Sequence, residues 1–242
     1  MLFAFGDLMK IAAIVTDIEG TTGGSGFHHD VLMPYSLKHI AAFVREHPEE
    51  RDVMRTLVKL SDRTHIPLQN VEGIIRVLQQ WIRDEEPVTE LKTLQGMVWE
   101  KAYKQGMFQA HVYPDVSEVL QRWQQEERNL YVYSRESVKA QQLFYRYSTA
   151  GDMRLLFSGH YDSTLGPKDD PQSYARIAEA IALPPQRVLY VSDDRTELDA
   201  AAQAGLKTTW VIRPQDTSLD PARVRLKSPH PVVTQFGEIE LE

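Results

Sequence analysis

The 242-residue sequence contains no cysteine. That excludes disulfides, thiolate metal sites and thiol nucleophiles, and it is compatible with a reducing compartment. A surplus of positive charge is missing as well. With 27 Lys and Arg against 34 Asp and Glu, the formal net charge is −7. Broad nucleic-acid binding needs the opposite balance, because Lys and Arg must neutralise phosphates. A small phosphorylated substrate is not excluded, since a few local cations suffice. No uninterrupted apolar run approaches the roughly 20 residues needed to span a bilayer. The opening MLFAFGDLMK carries Asp7 and lacks a basic leader and a small-residue cleavage site, so no secretory signal is expected. Internal repeats and low-complexity tracts are absent too. The expectation is a soluble, cytoplasmic protein with no nucleic-acid or membrane partner.

What is present fits an ordinary globular chain: 42% apolar and 25% charged residues. The length suits one large domain, or a core domain with a smaller one. Four short runs rich in β-branched and aromatic residues read as strands buried on both faces: Ala12–Thr16, Leu130–Ser134, Val188–Ser192 and Thr208–Ile212. Helical patterns at Ser117–Glu127, Pro171–Ala182 and Thr196–Ala204 precede the last three, with Gly205 placed to end the final helix. The alternation predicts an α/β fold with a Rossmann-like parallel sheet.

More than a hundred residues separate the first two strands, and that segment is helical in pattern. Ile40, Phe43 and Val44, then Ile74, Ile75, Leu78, Trp81 and Ile82, then Leu91, Leu94 and Val98, each share one helix face. The predicted organisation is a core of residues 1–30 and 110–242 with a helical cap domain inserted at 31–109. The tail from Arg213 onward, with Pro214, Pro221, Pro229 and Pro231, reads as mostly irregular.

In an open parallel sheet, ligands bind at the carboxyl ends of the strands. The first strand ends in Asp17-Ile18-Glu19-Gly20-Thr21-Thr22, the second in Ser134, and the third in Ser192-Asp193-Asp194, with Gly166-Pro167-Lys168 between the last two. Phosphoryl transfer through a covalent intermediate needs these parts. Asp17 is the expected nucleophile, since a carboxylate can attack phosphorus and split one hard step into two. Glu19 is placed to protonate the leaving oxygen and then activate water. Magnesium would hold carboxylates and phosphate together despite their repulsion, with Asp17 and Asp193 as ligands and the Glu19 carbonyl as a third. Lys168 would neutralise charge shared by phosphate and Asp17, and Ser134 would donate to phosphate. Thr21, in the same loop, is also assigned to substrate. Any one of these residues alone reads equally well as a turn former, a cap or a surface side chain. The ordered set does not.

That set resembles the haloacid dehalogenase superfamily. More narrowly it resembles the enolase-phosphatase, or acireductone synthase, family, in which glutamate stands where most of the superfamily has a second aspartate. Further matches are Asp30–Tyr35, Leu94–Trp99, His111–Val116, Ser148–Asp152, and Ser192-Asp193 followed by Glu197-Leu198-Asp199-Ala200-Ala201. The resemblance implies a monomer acting in methionine salvage. The substrate would be 2,3-diketo-5-methylthiopentyl 1-phosphate, enolised and then dephosphorylated under a helical cap. Two loops depart from the family pattern. Gly23-Gly24-Ser25-Gly26 replaces a Ser/Thr-Ile-Ser stretch, and Ser134-Arg135-Glu136-Ser137 replaces Ser-Ser-Gly-Ser. Arg135 is thereby added to the expected phosphate-binding residues. A phosphatase for another small ester, and a phosphate- or metal-binding protein that kept the fold, stay open. The glycine-rich loop lacks the Gly-Lys-Ser/Thr ending of a nucleotide cradle, and His28-His29 reads as a loop without further metal ligands.

Overall fold

A computed structural model describes residues Lys10 to Leu241. The N-terminal stretch discussed above, apart from Lys10, lies outside the described residues. The chain divides into two compact units, one running up to Ser25 and resuming at Ala110, the other spanning Gly26–Gln109.

The first unit is built on six parallel strands: β1 (Ala13–Thr16), β2 (Asn129–Tyr133), β3 (Gly159–Tyr161), β4 (Val188–Ser192), β5 (Lys207–Val211) and β6 (Val232–Val233). Their order across the sheet is β3-β2-β1-β4-β5-β6. Strand β1 is central and wholly buried. In its register Thr16 stands opposite Val132 on one side and Val191 on the other. Burial of Val15, Val132 and Val191 stabilises the sheet by roughly 1.5–3 kcal/mol per side chain. The helices of this unit are α5 (Pro114–Gln125), α6 (Val138–Arg146), α7 (Pro171–Ala180), α8 (Arg195–Gln203) and the short α9 (Pro221–Arg225). Tyr174 and Ile177 from α7 and Leu198 and Ala201 from α8 join Ala13, Val15 and Tyr190 in the core.

The strands and helices start and stop for local reasons. Asp170 and Asp194 cap α7 and α8 by accepting from the Gln172 and Thr196 amides. Gly205, at φ +88°, ends α8. The amides of Gly205 and Leu206 return to the carbonyls of Ala202 and Ala201, as a left-handed terminus requires.

The tail from Arg213 onward is mostly irregular, with short regular pieces such as α9 and β6. Val232 and Val233 pair with β5, and Phe236 and His230 are buried. The four prolines interrupt hydrogen bonding without preventing a two-residue edge strand.

In the second unit, α1 (Met33–Glu46), α2 (Arg51–Thr64), α3 (Val71–Arg83) and α4 (Thr89–Lys104) pack on one another. Ile40, Val44, Leu57, Leu60, Ile74, Leu78, Leu94 and Val98 are buried, and the Trp99 indole donates to Ser36 Oγ at 2.7 Å. His28–Leu32 forms a π-helical turn leading into α1 rather than a loop. Phe27, Tyr35 and Tyr103 meet the Phe108 ring edge-on, so this unit begins before the sequence boundary at residue 31. No helix among the described residues is long and apolar enough to cross a membrane.

Candidate active site

Asp17 follows β1 directly, and its amide donates to the Val191 carbonyl at 3.0 Å. The chain then turns sharply: the amides of Thr21, Thr22 and Gly23 all point at the Ile18 carbonyl. Thr22 Oγ1 donates to the Asp17 carbonyl at 3.0 Å and pairs with the Tyr145 hydroxyl at 2.8 Å. The main chain around Asp17 is thus fixed from both sides before any ligand arrives. Glu19 sits in this turn, half-buried, with Oε1 shut off from solvent.

Lys168 is 5% exposed. Its Nζ lies 2.7 Å from Asp17 Oδ1 and 2.7 Å from Glu197 Oε2. Burial works against the charge on Lys168, but Asp17 and Glu197 outweigh it and hold its pKa above that of an ordinary lysine. Three hydroxyls fix the loop that presents it. Tyr133 donates to the Gly166 carbonyl, Ser173 to Pro167, and Tyr174 to Lys168 itself. Gly166, at φ +153°, has no room for a side chain, since a Cβ would come 2.2 Å from Ser173 Oγ.

Glu197 is a site residue to which the sequence reading assigned no role. It lies in the first turn of α8 and is 3% exposed. Its Oε2 accepts from Tyr190 at 2.7 Å and Ser192 at 2.9 Å in addition to Lys168. Burial raises its pKa, with Asp17 adding to the effect and Lys168 opposing it. In sequence it reads as an ordinary acid favouring the helix dipole, since it sits in the first turn of α8 while Asp193 lies before that helix.

Asp193, after β4, has its pKa pushed up to about 7 by burial first, then by the negative charges of Asp17 and Glu197. Gly20 packs against it. At φ +66°, a Cβ on Gly20 would come 2.0 Å from Asp193 Oδ2. Thr21, expected at the substrate, lies against Asp193 in this structure. It is fully buried, its Oγ1 accepts from the Asp193 amide at 3.0 Å, and it lies 3.4 Å from Asp193 Oδ1. The hydroxyl assigned to substrate is occupied in holding Asp193.

Ser134 follows β2 and is buried, with its Oγ accepting from the Glu136 amide at 3.2 Å. Arg135 is largely exposed, and its Nη2 lies 3.6 Å from Glu197 Oε1. The strand ends therefore bring Asp17, Lys168, Glu197, Asp193 and Thr21 into one connected cluster, with Arg135 at its margin.

This cluster pairs three carboxylates with one buried ammonium. The imbalance, hard oxygen donors and the close Gly20 backbone suit a small divalent cation. No three His, Cys, Asp or Glu side chains group as a metal site among the described residues.

Comparison with known proteins gives the same architecture a family. The family model of haloacid dehalogenase-like hydrolases matches residues 11–205. Enolase-phosphatase E1 of Pseudomonas aeruginosa (strain LESB58) is 45% identical over 234 residues, covering 97% of this chain and all of that one. Enolase-phosphatase E1 of Azotobacter vinelandii is 44% identical over 232 residues, covering 96% of this chain and 98% of its own. Among solved structures, the UTR4 protein of Saccharomyces cerevisiae superposes with a TM-score of 0.81 at 28% identity, over 95% of this chain and 100% of that one. CbbY from Rhodobacter sphaeroides, in complex with phosphate, shares the fold at a TM-score of 0.57 and 14% identity over 94% of this chain and 96% of its own. The chain belongs to the haloacid dehalogenase-like hydrolases and, within them, to the enolase-phosphatase E1 family. It is a phosphatase.

Proposed function

We propose that the chain is a magnesium-dependent enolase-phosphatase of methionine salvage. It would convert 2,3-diketo-5-methylthiopentyl 1-phosphate to the acireductone and inorganic phosphate. The observation that carries this reading is the 2.7 Å contact between Lys168 Nζ and Asp17 Oδ1 in a nearly solvent-free setting. A lysine held there fixes the orientation of the Asp17 carboxylate, as a nucleophile requires.

Asp17 attacks phosphorus, the bond from phosphorus to the enol oxygen breaks, and Glu19 gives its proton to that oxygen. Glu19 then takes a proton from water as the water attacks the acyl phosphate, freeing phosphate and restoring Asp17. Lys168 offsets the charge that builds on the phosphoryl oxygens, and Glu197 keeps its ammonium in place. Asp17, Asp193 and the Glu19 carbonyl would hold Mg2+, which supplies Lewis-acid stabilisation of phosphate and of the enolate formed first. Ser134 and Arg135 are the proposed phosphate donors. The unit Gly26–Gln109 is proposed as the cap because the chain enters it directly from the loop after Asp17. A cytoplasmic monomer fits this role.

The test supplies the diketone phosphate with Mg2+ and follows ultraviolet absorbance of the enediol alongside phosphate release. Both signals are expected. Arg135, in place of the family's serine, favours one second reading, a phosphatase for a different small ester. Phosphate release without enediol would select it.

A further inference from the structure

Among the described residues, a heavily engaged buried cation outside the reacting groups is Arg213, which follows Ile212 just past β5. It is 4% exposed, unusual for an arginine. Its Nε and Nη2 donate to the Thr21 carbonyl at 3.2 and 2.8 Å. Its Nη1 donates to both Asp115 oxygens, at 2.9 and 3.0 Å, and to the Thr234 carbonyl at 3.3 Å. The guanidinium also lies over the Tyr113 ring, 4.1 Å from its centroid. Asp115 in turn accepts from the Phe236 amide at 2.7 Å. Arg213 therefore ties α5 and the C-terminal tail to one carbonyl in the loop after β1.

A buried Arg–Asp pair contributes little net stability over an apolar replacement of similar shape, because desolvation offsets attraction. What the pair does secure is geometry. The carbonyl held by two guanidinium nitrogens belongs to the residue whose hydroxyl clamps the Asp193 amide and carboxylate. Gly20 packs on the other side of that carboxylate, so it has little slack.

We propose that Arg213 is a positioning residue for Asp193, acting through Thr21 to hold that carboxylate ready for a divalent cation. The inference rests on the reading of Asp193 as a metal ligand. It takes Thr21 out of substrate contact and gives the C-terminal tail a part in metal affinity.

Calorimetric titration of Mg2+ into the metal-free full-length protein tests it, with inorganic phosphate titrated separately in saturating Mg2+. Thr21→Val removes the hydroxyl and keeps the shape. It is expected to weaken Mg2+ binding about 10-fold, or about 1.4 kcal/mol, with phosphate affinity returning at saturating Mg2+. Thr21→Ser should restore wild-type affinity, and Arg213→Lys should weaken it in the same direction. Wild-type Mg2+ affinity in Thr21→Val, or a loss confined to phosphate affinity, would overturn the proposal. So would a folded Arg213→Lys protein with unchanged Mg2+ binding. If Arg213→Lys does not fold, Thr21→Val decides alone. A wild type that takes up no Mg2+ and hydrolyses no aryl phosphate would remove the functional reading itself, and the proposal with it.

Discussion

Lys168 Nζ and Asp17 Oδ1 meet at 2.7 Å, both groups nearly closed to solvent. Removing one partner differs from removing the other, because Glu197 and Asp193 leave the surroundings negative. Lys168→Met strands carboxylates without their cation, and loss of a buried partner costs about 3–5 kcal/mol. Asp17→Asn removes a charge from a crowded cluster and leaves Lys168 paired with Glu197. In metal-free protein, melting is therefore expected to fall in Lys168→Met and to hold or rise in Asp17→Asn. Both variants lose activity. Equal destabilisation by the two in thermal melts would contradict this charge balance.

Gly20→Ala tests the close approach at Asp193. The position has φ +66°, and the added Cβ would come 2.0 Å from Asp193 Oδ2. Left-handed backbone costs an alanine roughly 1 kcal/mol, and the carboxylate must shift as well. Weaker Mg2+ binding together with a melting loss of several degrees is expected. Unchanged Mg2+ affinity would show that the carboxylate has more freedom than this packing implies.

His160, half-buried on β3, has its pKa lowered to about 4 by burial. An unfolded histidine titrates near 6.5. As pH falls, the unfolded chain takes up this proton first, so the contribution of neutral His160 is full above pH 6.5. It fades as pH drops through that value toward 4. After discounting for solvent, the loss is on the order of 2 kcal/mol. Asp193, raised to about 7, slopes the opposite way, since its contribution fades as pH rises. Urea melts of wild type and His160→Asn at pH 7 and pH 5 separate the two. The variant should lose less stability on acidification, and equal losses would refute the assignment.

The sequence carried the sheet's central strands because each is a short apolar run closed by chemistry-bearing residues. Strands β3 and β6 escaped it, being three and two residues long, too short for periodicity to register. Helix α2 was passed over although Val53, Leu57 and Leu60 are buried on one face. Asp17, Lys168 and Asp193 were legible from their places beside strand ends. Glu197 was not, because it acts from within a helix and resembles an ordinary first-turn acid. The role of Thr21 depends on Arg213 and Asp193, which lie 192 and 172 residues away in sequence. No local pattern reports such contacts.

The proposed reaction turns on Asp17 as the phosphoryl acceptor. Acid-quenched turnover, followed by mass analysis of the peptide containing Asp17, measures this. A phosphoryl adduct on Asp17 that is labile to hydroxylamine is expected in the wild-type protein, and none in Asp17→Asn. Turnover that persists in Asp17→Asn, or an adduct on any other residue, would contradict it.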